Sequence, residues 1–146
     1  MTRRLWRGLP QRPALRHGYT QAYYRPEEDV VYLPSPERFE CPEAYYSIVY
    51  HELSHSTGHP SRLNRATLKN MVRFGDPYYS KEELIAEMAA AMLCGVTGIA
   101  QSTIDQSASY LQGWLRALRA DPKLLVLAAA QAQRAADFIQ GVPSRA

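Results

Sequence analysis

The sequence predicts an α+β fold in which a small antiparallel sheet packs against about four helices. Two short segments before residue 34 are rich in aromatic and β-branched residues, which favour β-strands. After residue 41, apolar residues recur with a helical period, and prolines and glycines stand where helices begin and end. The 146 residues contain no internal repeat and suffice for one domain with its own hydrophobic core.

Residues 1–17 are predicted to form a basic, flexible arm ahead of a domain that spans residues 18–146. The arm contributes much of the net charge of +3, because it holds the arginines Arg3, Arg4, Arg7, Arg12 and Arg16. A solvated tail is the favoured interpretation; weak binding of single-stranded DNA and a remnant of a longer parent protein are the alternatives. The remaining charges nearly balance, so no broad nucleic-acid-binding face is expected.

The sequence shows no pattern typical of a secretory signal and no apolar run long enough to span a membrane. Cys41 and Cys94 are far apart and belong to no C-x-x-C pair, so free thiols are expected. These features together predict a cytoplasmic protein without a membrane partner.

The first regular elements are predicted to be two strands of a short hairpin. Residues 21–24 and 29–33 supply the aromatic and β-branched side chains, and residues 25–28 form a turn-like insert between them. Pro34 ends the second strand, because proline cannot donate a backbone hydrogen bond to a neighbouring strand.

The next element is predicted to be a helix that begins near residue 41 and ends at Gly58. Pro42 fits the first helical turn, where its missing N–H costs nothing, and Glu43 places a favourable charge at the helix N-terminus. A glycine followed closely by Pro60 is typical of a helix end.

Three further helices are predicted after an irregular segment. Residues 59–79 show no clean period and are expected to form an ordered loop that carries a short helical turn. One helix then runs from Ser80 to Gly98, another over residues 103–120, and the last over residues 121–140. The last helix begins with an Asp-Pro pair that fits the N-cap and the first helical position.

The helix that ends at Gly58 carries the sequence His51-Glu52-Leu53-Ser54-His55, which reads H-E-x-x-H. Residues four apart lie on the same face of a helix, so the two imidazoles are predicted to bind one zinc ion. Glu52 would then lie beside the metal and act as the general base toward a water molecule. The aromatic and apolar residues just before the motif favour a buried helix over an exposed helix with two unrelated histidines.

A catalytic zinc ion usually needs a third protein ligand, and Glu83 is the first choice. Glu87 lies one turn later in a largely apolar helix, where an unpaired carboxylate would be costly to bury. We expect one of these two acids to bind the metal and the other to orient a ligating histidine, with Glu83 preferred as the ligand. Glu82 is predicted to face the solvent.

Two other histidines are weaker candidates for the metal. His59 follows the predicted helix end at Gly58, which would turn it away from the site. Gly58 also fits the longer motif H-E-x-x-H-x-x-G-x-x-H, but Ser61 stands in place of its last histidine, which argues against the metzincin group. His17 lies in the basic arm and is predicted to be unrelated.

Other stretches accompany the motif: Tyr24, residues 29–34, residues 45–59, residues 62–65, residues 82–87, residues 109–115 and residues 132–139. Together they resemble the zincin-like metallopeptidase domain of ArdC-type antirestriction proteins, which also occurs in polyvalent proteins of phages and conjugative elements. The resemblance covers residues 18–141, so it extends over nearly the whole chain.

The resemblance implies a zinc-dependent site with His51 and His55 as ligands and Glu52 as the general base. In the related ImmA-type peptidases the acidic ligand begins a Glu-x-x-Ala-Asn/Asp pattern. Residues 83–87 follow that spacing with Glu87 at the last position, which supports Glu83 as the ligand. ArdC-type proteins also carry an N-terminal single-stranded-DNA-binding domain, in place of which this chain has the short basic arm.

The predicted function is therefore a zinc-dependent metallopeptidase of a mobile-element or phage antirestriction system, with a peptide or protein substrate. Tyr78, Tyr79 and Tyr110 are candidates for stabilising the oxyanion, although packing is the favoured role for each. Two alternatives stay open. One is a metal-stabilised module that binds a host defence protein without cutting it, and the other is an accessory domain that binds single-stranded DNA.

Overall fold

A three-stranded sheet forms the N-terminal part of the fold. The computed structural model describes residues 5–6, 8–74, 81–99, 115 and 118–143, with the backbone alone for residues 71–74. Strands β1 (Ala14–His17), β2 (Tyr23–Arg25) and β3 (Val30–Leu33) lie in the order β1-β3-β2. β2 and β3 form the predicted antiparallel hairpin, but β1 pairs with β3 in parallel, so the sheet is mixed and not purely antiparallel.

The prediction of a flexible arm over residues 1–17 is wrong for the part from Leu9 onward. Leu9 lies in the hydrophobic core with 4% of its surface exposed, and β1 pairs with β3 along its whole length. In β1 only Leu15 is partly buried. An edge strand can keep its polar side chains in solvent, so β1 lacks the alternation that would have revealed it. The first four residues and Arg7 lie outside the described residues.

The helical part follows a short 3-10 helix at Pro36–Arg38 and comprises, within the described residues, α1 (Pro42–Ser56), α2 (Ala66–Phe74), α3 (Lys81–Thr97) and α4 (Pro122–Gln140). α2 spans nine residues, which is longer than the single turn predicted between residues 59 and 79. The predicted helix over residues 103–120 lies outside the described residues except at 115 and 118–120, which are helical.

The predicted ends of α3 and α4 are confirmed. Gly98 and Gly141 follow these helices with φ values of 79° and 71°, in the left-handed region that favours glycine. Asp121 caps α4, because its side chain accepts a hydrogen bond of 3.2 Å from the backbone N–H of Lys123. Ser80, the predicted first residue of α3, lies outside the described residues.

Helix α1 lies between the sheet and α3, and α3 in turn packs against α4. One face of α1 buries Val49, Tyr50 and Leu53 in the main core together with residues of β3. A second apolar cluster joins α3 to α4. Because these contacts fix α1 against α3, the histidines of α1 are brought to the acidic start of α3. Among the described helices, none has the length and apolar character needed to cross a membrane.

Gly58 follows α1 as predicted, but a close approach of side chains explains why the residue is glycine. Gly58 is not among the described residues with positive φ. A Cβ atom at this position would lie 3.0 Å from Nη2 of Arg65 and 3.1 Å from Cβ of Leu68. Arg65 can therefore fold back over the end of α1 because position 58 carries no side chain.

Gly58→Ala is expected to lower the free energy of unfolding by about 1–3 kcal/mol, because the added methyl group displaces Arg65 or Leu68. Urea unfolding followed by circular dichroism measures the change. Gly95→Ala in α3 is the matched control, since a Cβ atom at exposed Gly95 meets nothing within 4 Å. There, alanine is expected to raise stability by about 0.5–1 kcal/mol. Equal stability of Gly58→Ala and the unmodified protein would contradict the packing argument.

Candidate metal centre

His51, His55 and Glu83 bring together, between α1 and α3, three side chains that could bind one metal ion. The Nε2 atoms of the two histidines lie 3.2 Å apart. One carboxylate oxygen of Glu83 lies 3.1 Å from Nε2 of His55, and the other lies 3.1 Å from Nε2 of His51. Within the part of the chain that the structure describes, this is the one group of His, Cys, Asp or Glu side chains arranged to hold a metal ion.

The other ring nitrogen of each histidine faces a further carboxylate. Nδ1 of His55 lies 2.7 Å from Oε2 of Glu82 in a buried hydrogen bond. Nδ1 of His51 lies 2.9 Å from Oε1 of Glu87, but this oxygen is poorly aligned with the ring N–H, so the contact is mainly electrostatic. Both carboxylates favour a proton on Nδ1, which leaves the two Nε2 lone pairs directed at the same space.

This donor set fits a divalent metal ion. Two Nε2 atoms and one carboxylate converge, and a divalent cation bound there would replace the protons that otherwise hold the histidines against Glu83. In a tetrahedral zinc site with bonds of about 2.0–2.1 Å, neighbouring donor atoms lie about 3.3 Å apart. The observed separations of 3.1 and 3.2 Å are close to that value. Three protein donors leave a fourth position for water or substrate, as in catalytic zinc sites.

The charges of the cluster depend on burial and on the paired groups. Burial lowers the pKa of His55, but hydrogen bonds with Glu82 and Glu83 outweigh burial and raise this pKa to about 9. Burial likewise lowers the pKa of His51, and the carboxylates of Glu83 and Glu87 outweigh it and raise this pKa well above its usual value. Burial raises the pKa of Glu83, yet the two histidines hold this pKa well below its usual range. Glu83 therefore stays ionised and available to bind a cation.

Glu52 lies next to His51 in α1 and is buried, with 7% of its surface exposed. Burial raises the pKa of Glu52, while the neighbouring histidines His51 and His55 partly oppose this increase. A backbone hydrogen bond from Tyr24 in β2 also opposes it. A glutamate whose pKa is raised toward neutrality is better matched to proton transfer than an exposed one.

The prediction that Glu82 faces the solvent is wrong, because its side chain is fully buried behind His55. Glu82 also accepts hydrogen bonds from Arg65, through Nε at 2.7 Å and Nη2 at 2.9 Å, and from the Thr67 hydroxyl at 2.8 Å. These partners precede α3 in the chain, so the periodicity of α3 cannot reveal them. The sequence features that could have indicated a buried Glu82 are its position next to Glu83 and the arginines that follow α1.

The other predicted candidates lie apart from this cluster. The ring of His59 contacts its neighbour Ser61, with 2.8 Å between Nδ1 and Oγ. Nε2 of His17 lies 2.8 Å from the hydroxyl of Tyr45, at the opposite end of α1 from the motif. The three tyrosines considered for the oxyanion lie outside the described residues.

An α+β fold in which an H-E-x-x-H helix faces an acidic helix defines the zincin class. The chain matches the zincin-like metallopeptidase family over residues 11–131 and belongs to that family. Two crystal structures of the antirestriction protein ArdC from plasmid R388 are similar to it at 42% sequence identity. The Mn(II)-bound structure gives a TM-score of 0.73 and covers 89% of this chain and 48% of ArdC. The metal-free structure gives 0.70 and covers 46% of ArdC.

Relatives of known sequence are longer proteins. The chain is 41% identical over 126 residues to a DNA primase TraC of Escherichia coli, and the aligned region covers 86% of this chain and 12% of TraC. It is 37% identical over 132 residues to the uncharacterized protein y4eC of Sinorhizobium fredii, and the aligned region covers 90% of this chain and 42% of that protein. The chain thus spans less than half the length of each relative. The resemblance to ArdC-type proteins and the zincin-like fold are confirmed.

Proposed function

We propose that this chain is a zinc-dependent metallopeptidase in which His51, His55 and Glu83 hold the metal ion and Glu52 is the general base. The observation that carries the proposal is the convergence of two Nε2 atoms and one carboxylate at 3.1–3.2 Å from one another. The Mn(II)-bound structure of the similar protein ArdC supports binding of a divalent metal. The preference for zinc rests on the donors, because two imidazoles and one carboxylate are typical of catalytic zinc sites.

The chemistry of the site divides between the metal and the protein. A bound zinc ion would supply Lewis acidity toward the peptide carbonyl and lower the pKa of water. Glu52 takes the proton of the attacking water and passes it to the leaving amine. Glu87 and Glu82 orient His51 and His55, so the ligands need little reorganisation to bind the metal. Burial of Glu52 and His55 strengthens the electrostatic interactions of the site.

The biological setting that we infer is an antirestriction system of a mobile element or phage, with a peptide or protein as the partner. This inference rests on the similarity to ArdC at 42% identity over 89% of the chain. Weak binding of single-stranded DNA through the basic residues 1–17 stays a prediction; the part of that arm from Leu9 onward is folded, but Arg12 and Arg16 remain exposed there.

A metal-stabilised interaction module that cuts nothing is the second candidate function. The observation that favours it is the origin of the donors, because His51 and His55 belong to α1 whereas Glu83 belongs to α3. A bound metal ion would join these helices and stabilise the fold whether or not hydrolysis occurs. The two proposals therefore differ in the role of Glu52. The peptidase needs Glu52 as its general base, whereas the interaction module does not.

Metal removal is the first test of the proposed function. We expect the purified chain to contain about one equivalent of zinc by elemental analysis, and chelation by EDTA to abolish hydrolysis of an unfolded protein substrate. Adding zinc back should restore the hydrolysis. EDTA already saturated with zinc is the control, because it has no free capacity to extract zinc from the protein. Hydrolysis that persisted after the metal content had fallen to background would contradict the proposal.

A further inference from the structure

Glu82 and Arg65 form a buried ion pair directly behind His55. Arg65 donates two parallel hydrogen bonds, from Nε to Oε1 of Glu82 at 2.7 Å and from Nη2 to Oε2 at 2.9 Å. Glu82 is fully buried, and Arg65 has 4% of its surface exposed. Removing both charges from water is costly unless their other polar atoms are also satisfied. The remaining contacts of the pair therefore indicate what it contributes.

Those contacts connect the pair to the end of α1. Oε2 of Glu82 lies 2.7 Å from Nδ1 of His55. Arg65 donates from Nη1 to the hydroxyl of Thr57 at 2.8 Å and from Nη2 to the carbonyl of Ser54 at 2.9 Å. The pair is thus held on one side by the last turn of α1 and on the other by the start of α3. Among the proposed metal-binding groups, the pair contacts the ring of His55.

The two metal-binding histidines are held unequally. Glu82 faces His55 in an aligned and fully buried hydrogen bond, and an arginine fixes both of its oxygens. Glu87 faces His51 with a side chain that is 19% exposed, and its oxygen is poorly aligned with the ring N–H. His55 is therefore the more rigidly oriented of the two rings, because its partner carboxylate cannot rotate without breaking several hydrogen bonds.

We propose that Glu82 and Arg65 are positioning residues that fix the ring orientation and tautomer of His55 for metal binding. Glu82 retains the proton on Nδ1, which keeps the lone pair on Nε2. Arg65 holds Glu82 in that role and prevents it from competing with its neighbour Glu83 for the metal. This inference rests on the metal site of the proposed function, but not on peptidase activity.

The affinity of the full chain for Zn²⁺ tests the role of Glu82. The dissociation constant is measured by competition with a chromogenic chelator, and circular dichroism checks the fold of each variant. Glu82→Gln preserves the shape of the side chain but removes its charge. It is expected to weaken Zn²⁺ binding by about 10- to 100-fold, which is the effect typical of partners that orient metal ligands. A folded Glu82→Gln variant with unchanged affinity would overturn the inference.

A pair of arginine variants keeps the inference testable if Glu82→Gln does not fold. Arg62 caps the same helix end, because its Nε donates to the carbonyl of Ser56 at 2.7 Å, but its carboxylate partner is Asp29. Arg65→Lys should weaken Zn²⁺ binding by about threefold or more, since lysine cannot reproduce the paired hydrogen bonds to Glu82. Arg62→Lys should leave the affinity within about twofold. Equal effects of the two substitutions would overturn the inference.

The NMR signal of the Nδ1 proton of His55 provides a readout that a merely structural role would not change. In the zinc-loaded protein this proton should resonate far downfield, because it is held in a short hydrogen bond to a carboxylate. In zinc-loaded Glu82→Gln we expect the signal to move upfield or to be lost through exchange. An unchanged signal would overturn the inference.

The same measurements separate this inference from the proposed function. Zn²⁺ binding without hydrolysis would overturn the peptidase proposal and leave the comparison of affinities intact. Hydrolysis by the wild type, with equal Zn²⁺ affinity in folded Glu82→Gln, would overturn the inference alone. Absence of Zn²⁺ binding by the unmodified chain would overturn both, and the first titration would show it before any variant is compared.

Discussion

Glu52→Gln is expected to reduce peptide hydrolysis by about 10²- to 10⁴-fold, which is the usual contribution of a positioned general base. Glutamine has nearly the shape of glutamate but cannot accept the proton of the attacking water at neutral pH. The donors His51, His55 and Glu83 are untouched, so the variant should fold and bind zinc like the unmodified chain. The loss is therefore expected in kcat and not in metal content.

The measurement is the rate of cleavage of an unfolded protein substrate, with zinc content determined on the same samples. Glu37→Gln is the matched control, because Glu37 is an exposed glutamate in the 3-10 helix before α1. Full activity of a zinc-loaded Glu52→Gln variant would show that Glu52 is not the base. If the unmodified chain cuts nothing but shows an antirestriction effect that Glu52→Gln retains, the interaction module becomes the better account.

Glu83→Gln is expected to cause the largest loss of metal affinity, because it replaces a charged ligand by a neutral amide. We expect its Zn²⁺ dissociation constant to rise by more than about 100-fold, whereas Glu87→Gln should raise it by about tenfold, as for a partner that orients a ligand. The difference follows from geometry. Glu83 approaches Nε2 of both histidines at 3.1 Å, and Glu87 approaches only Nδ1 of His51.

Thermal unfolding with and without zinc gives an independent measure of the same effect. At a free zinc concentration of 1,000 times the dissociation constant, binding adds about 4.1 kcal/mol to the stability of the folded state. A 100-fold loss of affinity at the same concentration reduces this gain by about 2.7 kcal/mol. The increase in Tm on adding zinc should therefore be smallest for Glu83→Gln. The reverse order of the two variants would identify Glu87 as the ligand.

The buried network around Glu82 has a consequence for the whole segment between α1 and α2. Arg65 and Arg62 both donate to carbonyl groups in the last turn of α1, at Ser54 and Ser56. Gly58 provides the space into which Arg65 folds. The segment after the motif is thus tied by hydrogen bonds to the helix that carries the motif, and through Glu82 to the ring of His55. This arrangement explains why an apparently irregular stretch of sequence is well packed here.

Much of the fold could be predicted because the relevant signals are local. The prolines at the start of α1 and α4 and the glycines after α3 and α4 mark helix ends through the conformations that these residues prefer. Strand β1 escaped prediction because an edge strand with a single half-buried residue carries no clear pattern. It is held by pairing with β3, which lies 16 residues further along the chain.

The sequence by itself determined the pairing of His51 with His55, since a spacing of four residues places two side chains on one face of any helix. It also indicated an acidic partner at Glu83. Only the tertiary structure decided that Glu82 lies buried behind His55 while Glu83 reaches both Nε2 atoms. Adjacent residues on a helix point about 100° apart. Which of them faces Nε2 of His51 and His55 therefore depends on how α3 is rotated against α1, and long-range packing sets that rotation.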